Sequence, residues 1–169
     1  MITALMSSEK DLVAEIEQLL CDMFGPLEMI STFYLFDAYS DYYAKEMGTQ
    51  LQKKFVSFAD MIKIDRLPAI KHTTNAIEQQ YAIDDKRRIN IDPGYVTHAQ
   101  MVLATTKAYS HRIYLGQCMF AELTYLCKGK EFYPMEWTYP DYREPFARDF
   151  FLQVRTAYLR QMRAKRKQP

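Results

Sequence analysis

The sequence predicts a single α+β domain built on a mainly antiparallel sheet, with a ferredoxin-like N-terminal half, extra C-terminal hairpins and a covering C-terminal helix. Three observations predict it. Over the first half the order strand, helix, strand, strand, helix, strand is that of the split βαβ unit. From residue 111, short β-rich runs are separated by Gly116-Gln117 and Lys128-Gly129, the punctuation of hairpins. From Pro145 large apolar residues recur at helical spacing. The expected domain spans residues 1–162, and residues 163–169 read as a basic tail.

Taken in order, Ile2 to Met6 is short and apolar, as a first strand requires. Ser8, with Asp11 three residues on, offers a weak capping box for a helix carrying Leu12, Val13, Ile16, Leu19, Leu20 and Met23, which Gly25-Pro26 stops. Met29 to Phe36 is rich in β-formers and reads as one strand. Asp37 to Gly48 reads as a functional or connecting loop, and Leu51 to Phe58 as a strand. Asp65 is expected to cap a second helix that tolerates Pro68 in its first turn, with Leu67, Ile70, Thr74, Ile77 and Tyr81 facing inward.

Arg88 to Asp92 is expected to be extended, placing Arg88, Asn90 and Asp92 on one face and Ile89 and Ile91 on the other. Pro93-Gly94 suits the centre of a type II turn that would end this row. Thr97 and Gln100 form a capping pair, which predicts a helical turn running into a strand by Thr106. His111 to Leu115, Cys118 to Cys127 and Phe132 to Met135 complete a meander. The last helix is expected to face inward with Phe146, Phe150, Val154, Tyr158 and Met162.

Composition narrows the function classes. At 169 residues the chain buries a core without staples, and 49% hydrophobic with 25% charged residues places it among globular proteins. The 13 tyrosines suit sheet surfaces, clefts and interfaces alike. Three cysteines without a C-x-x-C spacing suggest neither a disulfide framework nor a zinc ribbon, and predict a reducing, cytoplasmic setting. No apolar run is long enough for a membrane span, and no secretory leader is read at the N-terminus, so a soluble chain with no membrane partner is expected. Five of the 22 basic residues lie in the last ten, leaving 17 against 21 acids before them. A basic tail on an acidic body weakens nucleic-acid binding by the body itself.

The candidate chemistry collects after residue 88. Arg88 and Asn90 are suited to bind an anion while Asp92 holds a metal or a hydroxyl; the alternative is a solvated sheet face with a turn-initiating aspartate. Glu122, set among Phe120, Ala121, Leu123 and Tyr125, is costly to bury unless paired, although a half-exposed strand face would relieve it. His111 is a candidate general acid or base, or else a hydrogen-bonded structural residue. Trp137 to Tyr142 packs three aromatics around Pro140, either to wall a pocket or to pin the last helix to the sheet. The isolated glycines spell no phosphate-binding loop, and no metal-ligand spacing occurs.

These residues carry a resemblance. Asp41-Tyr42-Tyr43 with Glu46-Met47-Gly48, Lys54-Phe55, Ser57-Phe58, Asn90-Ile91-Asp92-Pro93-Gly94-Tyr95, Leu103 to Lys107, Ser110 to Gly116, Ala121-Glu122 and Trp137 to Tyr142 resemble a bacterial and archaeal family catalogued as domain of unknown function 4416. The likeness extends over nearly the whole chain and implies no reaction. Some members look like GTP-binding proteins by name, a label that the absent P-loop does not support. The short first strand departs from the family pattern.

The functional expectation is a small-anion site for a phosphorylated metabolite or nucleotide, formed by the sheet and the Asp41 to Gly48 loop. Arg88, Lys107 and Arg112 neutralise the anion, Asn90 orients it, and Tyr42, Tyr43 and Trp137 line the site. Asp92 or Glu122 holds a divalent metal or moves a proton with His111, so an enzyme is one form of this reading. The alternatives are a non-catalytic module that binds protein or RNA, and a homo-oligomer whose aromatic surface is the subunit interface.

Overall fold

A computed structural model of the chain describes residues 1–166. The fold is α+β, with strands that belong to a mainly antiparallel sheet. Two compact units are distinguished, Met1–Pro93 and the chain from Gly94 onward. No helix among the described residues is long and apolar enough to cross a membrane.

The first unit contains β1 (Ile2–Ser7), α1 (Lys10–Phe24), β2 (Leu27–Ile30), β3 (Tyr34–Leu35), α2 (Ala44–Met47), β4 (Gln52–Phe58), α3 (Leu67–Gln80) and the start of β5 (Asn90–Val96). Strand order is β2-β4-β1-β5, with β3 also on β4. The two strands outside each helix are thus separated by an antiparallel neighbour, the arrangement that a split βαβ unit requires.

Strand alternation sorts the buried residues to two sides. Leu5 and Val56 join Leu12, Val13, Ile16 and Leu20 of α1 and Ile77 of α3 in the main core, while Met6 packs with Phe36, Met47 and Leu51 in a smaller one. Gly25 ends α1 at φ +93°, a conformation that calls for glycine, and a Cβ there would also push the Asp60 carboxylate aside, from 2.3 Å.

Several local expectations are corrected. Helix α1 begins at Lys10 with Glu9 in the capping position, not Ser8; instead Ser7 Oγ accepts a hydrogen bond from the Glu9 amide at 3.0 Å. Met29 to Phe36 is two short strands rather than one. Between them Ser31 Oγ accepts from the Phe55 amide and the Ser31 amide donates to the Phe55 carbonyl, each at 2.8 Å, so the serine replaces ladder pairing. Asp65 lies in a 3₁₀ turn ahead of α3 and makes no cap, whereas Pro68 does sit in the first turn.

Pro93-Gly94 is not a turn. Strand β5 runs through it, and Gly94 does not take a positive φ. Pairing with β6 begins at Gly94↔Leu103, just past the residue that lacks an amide hydrogen, so the proline costs that ladder nothing.

The second unit contains the rest of β5, then β6 (Gln100–Thr105), β7 (Arg112–Gly116), β8 (Met119–Lys128), β9 (Glu131–Pro134), α4 (Pro140–Arg143) and α5 (Pro145–Arg166). Its strand order is β5-β6-β8-β7, with β9 also on β8. Thr97 and Gln100 close a tight β5–β6 connection, by Thr97 amide to Gln100 carbonyl at 2.8 Å, instead of starting a helix. Tyr125, Phe132, Tyr142, Phe150 and Phe151 form an aromatic core, with Tyr142 and Phe151 stacked at 5.7 Å.

Helix α5 buries Ala147, Phe150, Phe151, Val154 and Ala157, a face rotated from the expected one. Steps of four residues precess by 40° each, so Phe146 at one end drifts into solvent at 38% exposure, while alternating steps of three and four keep a straight stripe. The helix continues through Arg166, so residues 163–166 are helical; residues 167–169 of the expected tail lie outside the described residues.

Candidate functional site

Strand β8 pairs with β6 along one flank and with two short strands along the other. Strand β7 covers Met119 to Glu122, ending at Arg112↔Glu122, and β9 begins at Tyr125↔Pro134. Leu123 and Thr124 are left between them without a strand partner on that side. Their carbonyls are taken by side chains: Trp137 Nε1 donates to Leu123 O at 2.7 Å and Thr138 Oγ1 to Thr124 O at 2.6 Å. Arg143 clamps the same turn through bonds to the carbonyls of Thr138, Met135 and Glu136. The aromatic segment therefore plugs a notch in the sheet as well as leading into α5.

Glu122 stands at the edge of this notch and is 2% exposed. Its Oε2 accepts from Arg112 Nε at 2.8 Å and lies 2.6 Å from Arg112 Nη2. His111 Nε2 is 3.3 Å from the same oxygen. The half-exposed alternative for Glu122 is overturned: pairing is what makes its burial tolerable. Arg112 also reaches Lys107 O at 3.0 Å and Tyr139 OH at 3.1 Å, so its fork is fully engaged.

The His111 ring is stacked on Trp137 at 4.7 Å and 11°, and meets Tyr109 edge-on at 5.3 Å. With Nε2 turned to Glu122, Nδ1 has no hydrogen-bond partner among the described residues. An open cavity of about 590 Å³ adjoins the ring, lined by Tyr109, Ser110, His111, Glu136 and Trp137. A histidine that lines a cavity and has one ring nitrogen held by a carboxylate is suited to give or take a proton through the other.

A second polar cluster lies within the first unit. Lys71 Nζ donates to Ile91 O at 2.8 Å and Asp92 Oδ1 at 3.1 Å. Asn90 Nδ2 donates to Asp92 Oδ2 at 2.7 Å, and Asn90 Oδ1 accepts from Arg87 Nη1 at 3.0 Å. Glu78 accepts from the Ile91 amide at 2.6 Å and from Arg87 at 3.1 Å, and Glu46 of α2 grips Arg87 with both oxygens, at 2.6 and 2.8 Å.

Burial pushes the Glu78 carboxyl above the ordinary carboxylate range, and Lys71 and Arg87 offset that only in part. For Asp92 burial acts upward too, but attraction from Lys71 and Lys53 and hydrogen bonds from Lys71 and Asn90 outweigh it, and the carboxyl is held below its usual range.

A family model described as a domain of unknown function (DUF4416) matches residues 1–158. The chain belongs to that family. No curated protein and no solved structure matches it. The span that matches DUF4416 includes both clusters and stops within α5 before Arg160, Arg163, Lys165 and Arg166.

In this DUF4416 chain the expected site residues fall into two groups. His111, Glu122, Arg112 and Trp137 come together at the notch, and Lys107 contributes its carbonyl there. Asn90 and Asp92 belong to the other cluster. Arg88 joins neither: it lies before β5 and pairs with Glu9 on the surface, so the expected row of Arg88, Asn90 and Asp92 is corrected to Arg87, Asn90 and Asp92. Tyr43 packs on Phe36 with Arg87 over its ring at 5.7 Å, while Tyr42 is 63% exposed beside it.

Arg87, Lys71 and Glu78 escaped the sequence reading, while Glu46 was read only as part of the Asp41 to Gly48 loop. Lys71 and Glu78 sit seven residues apart on the apolar stripe of α3, and two opposite charges at that spacing are the signal that could have found them. Among the described residues no group of three or more His, Cys, Asp and Glu is placed to hold a metal ion. Of the two acids considered for one, Asp92 spends its oxygens on Lys71 and Asn90, and Glu122 spends Oε2 on Arg112 while Oε1 has no hydrogen-bond partner.

Proposed function

We propose that the chain binds a small anionic ligand, a phosphorylated metabolite or nucleotide, in the open cavity beside Trp137, with His111 as the group that meets it. The observation that carries this reading is His111, which lines an open cavity while its Nε2 meets the Arg112–Glu122 pair behind it. Arg112 cancels the Glu122 charge, so a proton on His111 leaves the trio one positive charge in excess. The ring is stacked on Trp137, which fixes its plane. Nδ1–H then donates to the anion, and the Ser110 hydroxyl lies beside it as a second donor. The sole acid in the lining, Glu136, is exposed and screened by solvent.

The same Nδ1, deprotonated, accepts a proton from a bound hydroxyl, which is the step an enzyme built on this site would use. Three cysteines free of disulfides support a cytoplasmic setting for it.

The test is a thermal-shift panel of inorganic phosphate, nucleotides and sugar phosphates, with and without Mg²⁺, on the protein and on His111→Ala. A ligand at 100 times its Kd stabilises by about 2.7 kcal/mol, which reads as several degrees. The expected result is a phosphorylated hit that vanishes in His111→Ala. No hit, a hit retained by His111→Ala, or stabilisation by cationic compounds instead would overturn the reading.

A further inference from the structure

Strand β7 is the last in its sheet order, and among the described residues its outer flank pairs with no strand. It carries three consecutive exposed apolar residues, Ile113 at 69%, Tyr114 at 60% and Leu115 at 40%. Side chains alternate along a strand, so this run leaves apolar surface on both faces of the sheet edge. A helix laid on one face would cover half of it; a strand added at the edge covers both. The usual protection of an edge is also weak here. Arg112, the charged residue of β7, is folded back onto Glu122, and only the irregularity between Tyr114 and Gly116 bends the edge.

We propose that β7 pairs with β7 of a second copy of this chain, antiparallel and centred on Tyr114. The strand is self-complementary in that register. Tyr114 faces its own copy, Ile113 faces Leu115, and Arg112 faces Gly116, so no charge meets a like charge across the two-fold axis. Because each Arg112 is already neutralised by Glu122, the pairing brings together no free cations. The side-chain area offered is roughly 300 Å² per copy, judged from the burial typical of such residues, against about 800 Å² per partner in a standard stable interface. The pair is therefore a weak one, formed at tens to hundreds of micromolar, and it is independent of what the notch binds.

Sedimentation equilibrium across that concentration range should show the mass rising from the 20.0 kDa of one chain toward twice that value, and Ile113→Lys with Tyr114→Lys should abolish the rise without altering the far-ultraviolet circular dichroism. In a Cys118→Ser background, Tyr114→Cys should cross-link under mild oxidation, since facing residues of an antiparallel pair lie within disulfide range, whereas Leu115→Cys, which faces Ile113, should not. A mass that stays at one chain throughout would overturn the proposal. So would association that survives the double lysine variant, cross-linking of Leu115→Cys equal to that of Tyr114→Cys, or capture of an extended peptide by β7 without self-association.

Discussion

Removing the Glu122 carboxylate should destabilise the second unit in a graded way. In Glu122→Leu the Arg112 guanidinium loses the hydrogen bond from Nε and its counter-charge, and His111 loses the oxygen at 3.3 Å. Breaking one side of a buried pair costs about 3 to 5 kcal/mol. Arg112 keeps Lys107 O and Tyr139 OH, which places the expected loss near the lower figure, about 3 kcal/mol.

Glu122→Gln is milder for a specific reason. Oε1 has no hydrogen-bond partner, so the amide nitrogen can occupy that position while the remaining oxygen still accepts from Arg112. The cost is then that of the lost counter-charge with the Arg112 bond retained, about 1 to 2 kcal/mol. Urea unfolding followed by Trp137, the sole tryptophan and the residue stacked on His111, reads the change locally. At a slope of about 2 kcal/mol per molar, Glu122→Leu should lower the midpoint by about 1.5 M. If Leu and Gln are equally tolerated, within about 1 kcal/mol of the parent, the pairing contributes nothing and the notch is not held as described.

Four further outcomes are expected. Glu78→Leu should cost about 3 kcal/mol in denaturant unfolding, and speed hydrogen exchange at the Ile91 amide, because that buried donor loses its acceptor. Asp92, held below its ordinary value of 3.8, contributes stability that is present above that pH and lost as pH falls through its folded value; Asp92→Asn should flatten the acid limb of a stability-against-pH profile below about pH 4. Glu78, shifted upward, has the opposite sign: its favourable contribution is present below its ordinary 4.5 and fades as pH rises, so Glu78→Gln should steepen the remaining gain in stability above that pH. At the β7–β8 turn Gln117 and Cys118 take φ of 54° and 57°, which suits Asn-Gly; Gln117→Asn with Cys118→Gly should add about 1 kcal/mol, measured as a raised urea midpoint.

The parts of the fold that could be read from the sequence are those that one period decides. The α1 stripe from Leu12 to Leu20, the β4 run and the inward residues of α3 from Leu67 to Ile77 all follow from spacing alone, and the split strand order follows from their succession. What could not be read depends on distant partners. Pro93-Gly94 carries local turn chemistry, but pairing of Gly94 with Leu103 overrides it. Arg87 rather than Arg88 enters the polar cluster because β5 begins at Asn90, so alternation could not be extended back to residue 88. Glu122 and His111 were legible as chemistry, since a carboxylate in an apolar run must find a partner; that the partners sit at a break between β7 and β9 is a property of register, which no local pattern encodes.

That break has an evolutionary consequence. The flank of β8 is built from the ends of two separate hairpins, β7–β8 and β8–β9, and the connection after β9 closes the gap. Residues can be gained or lost before Arg112 or after Pro134 without shifting a single pair of the β6–β8 ladder. The scaffold therefore decouples the lengths of these two connections from the register of the β6–β8 ladder.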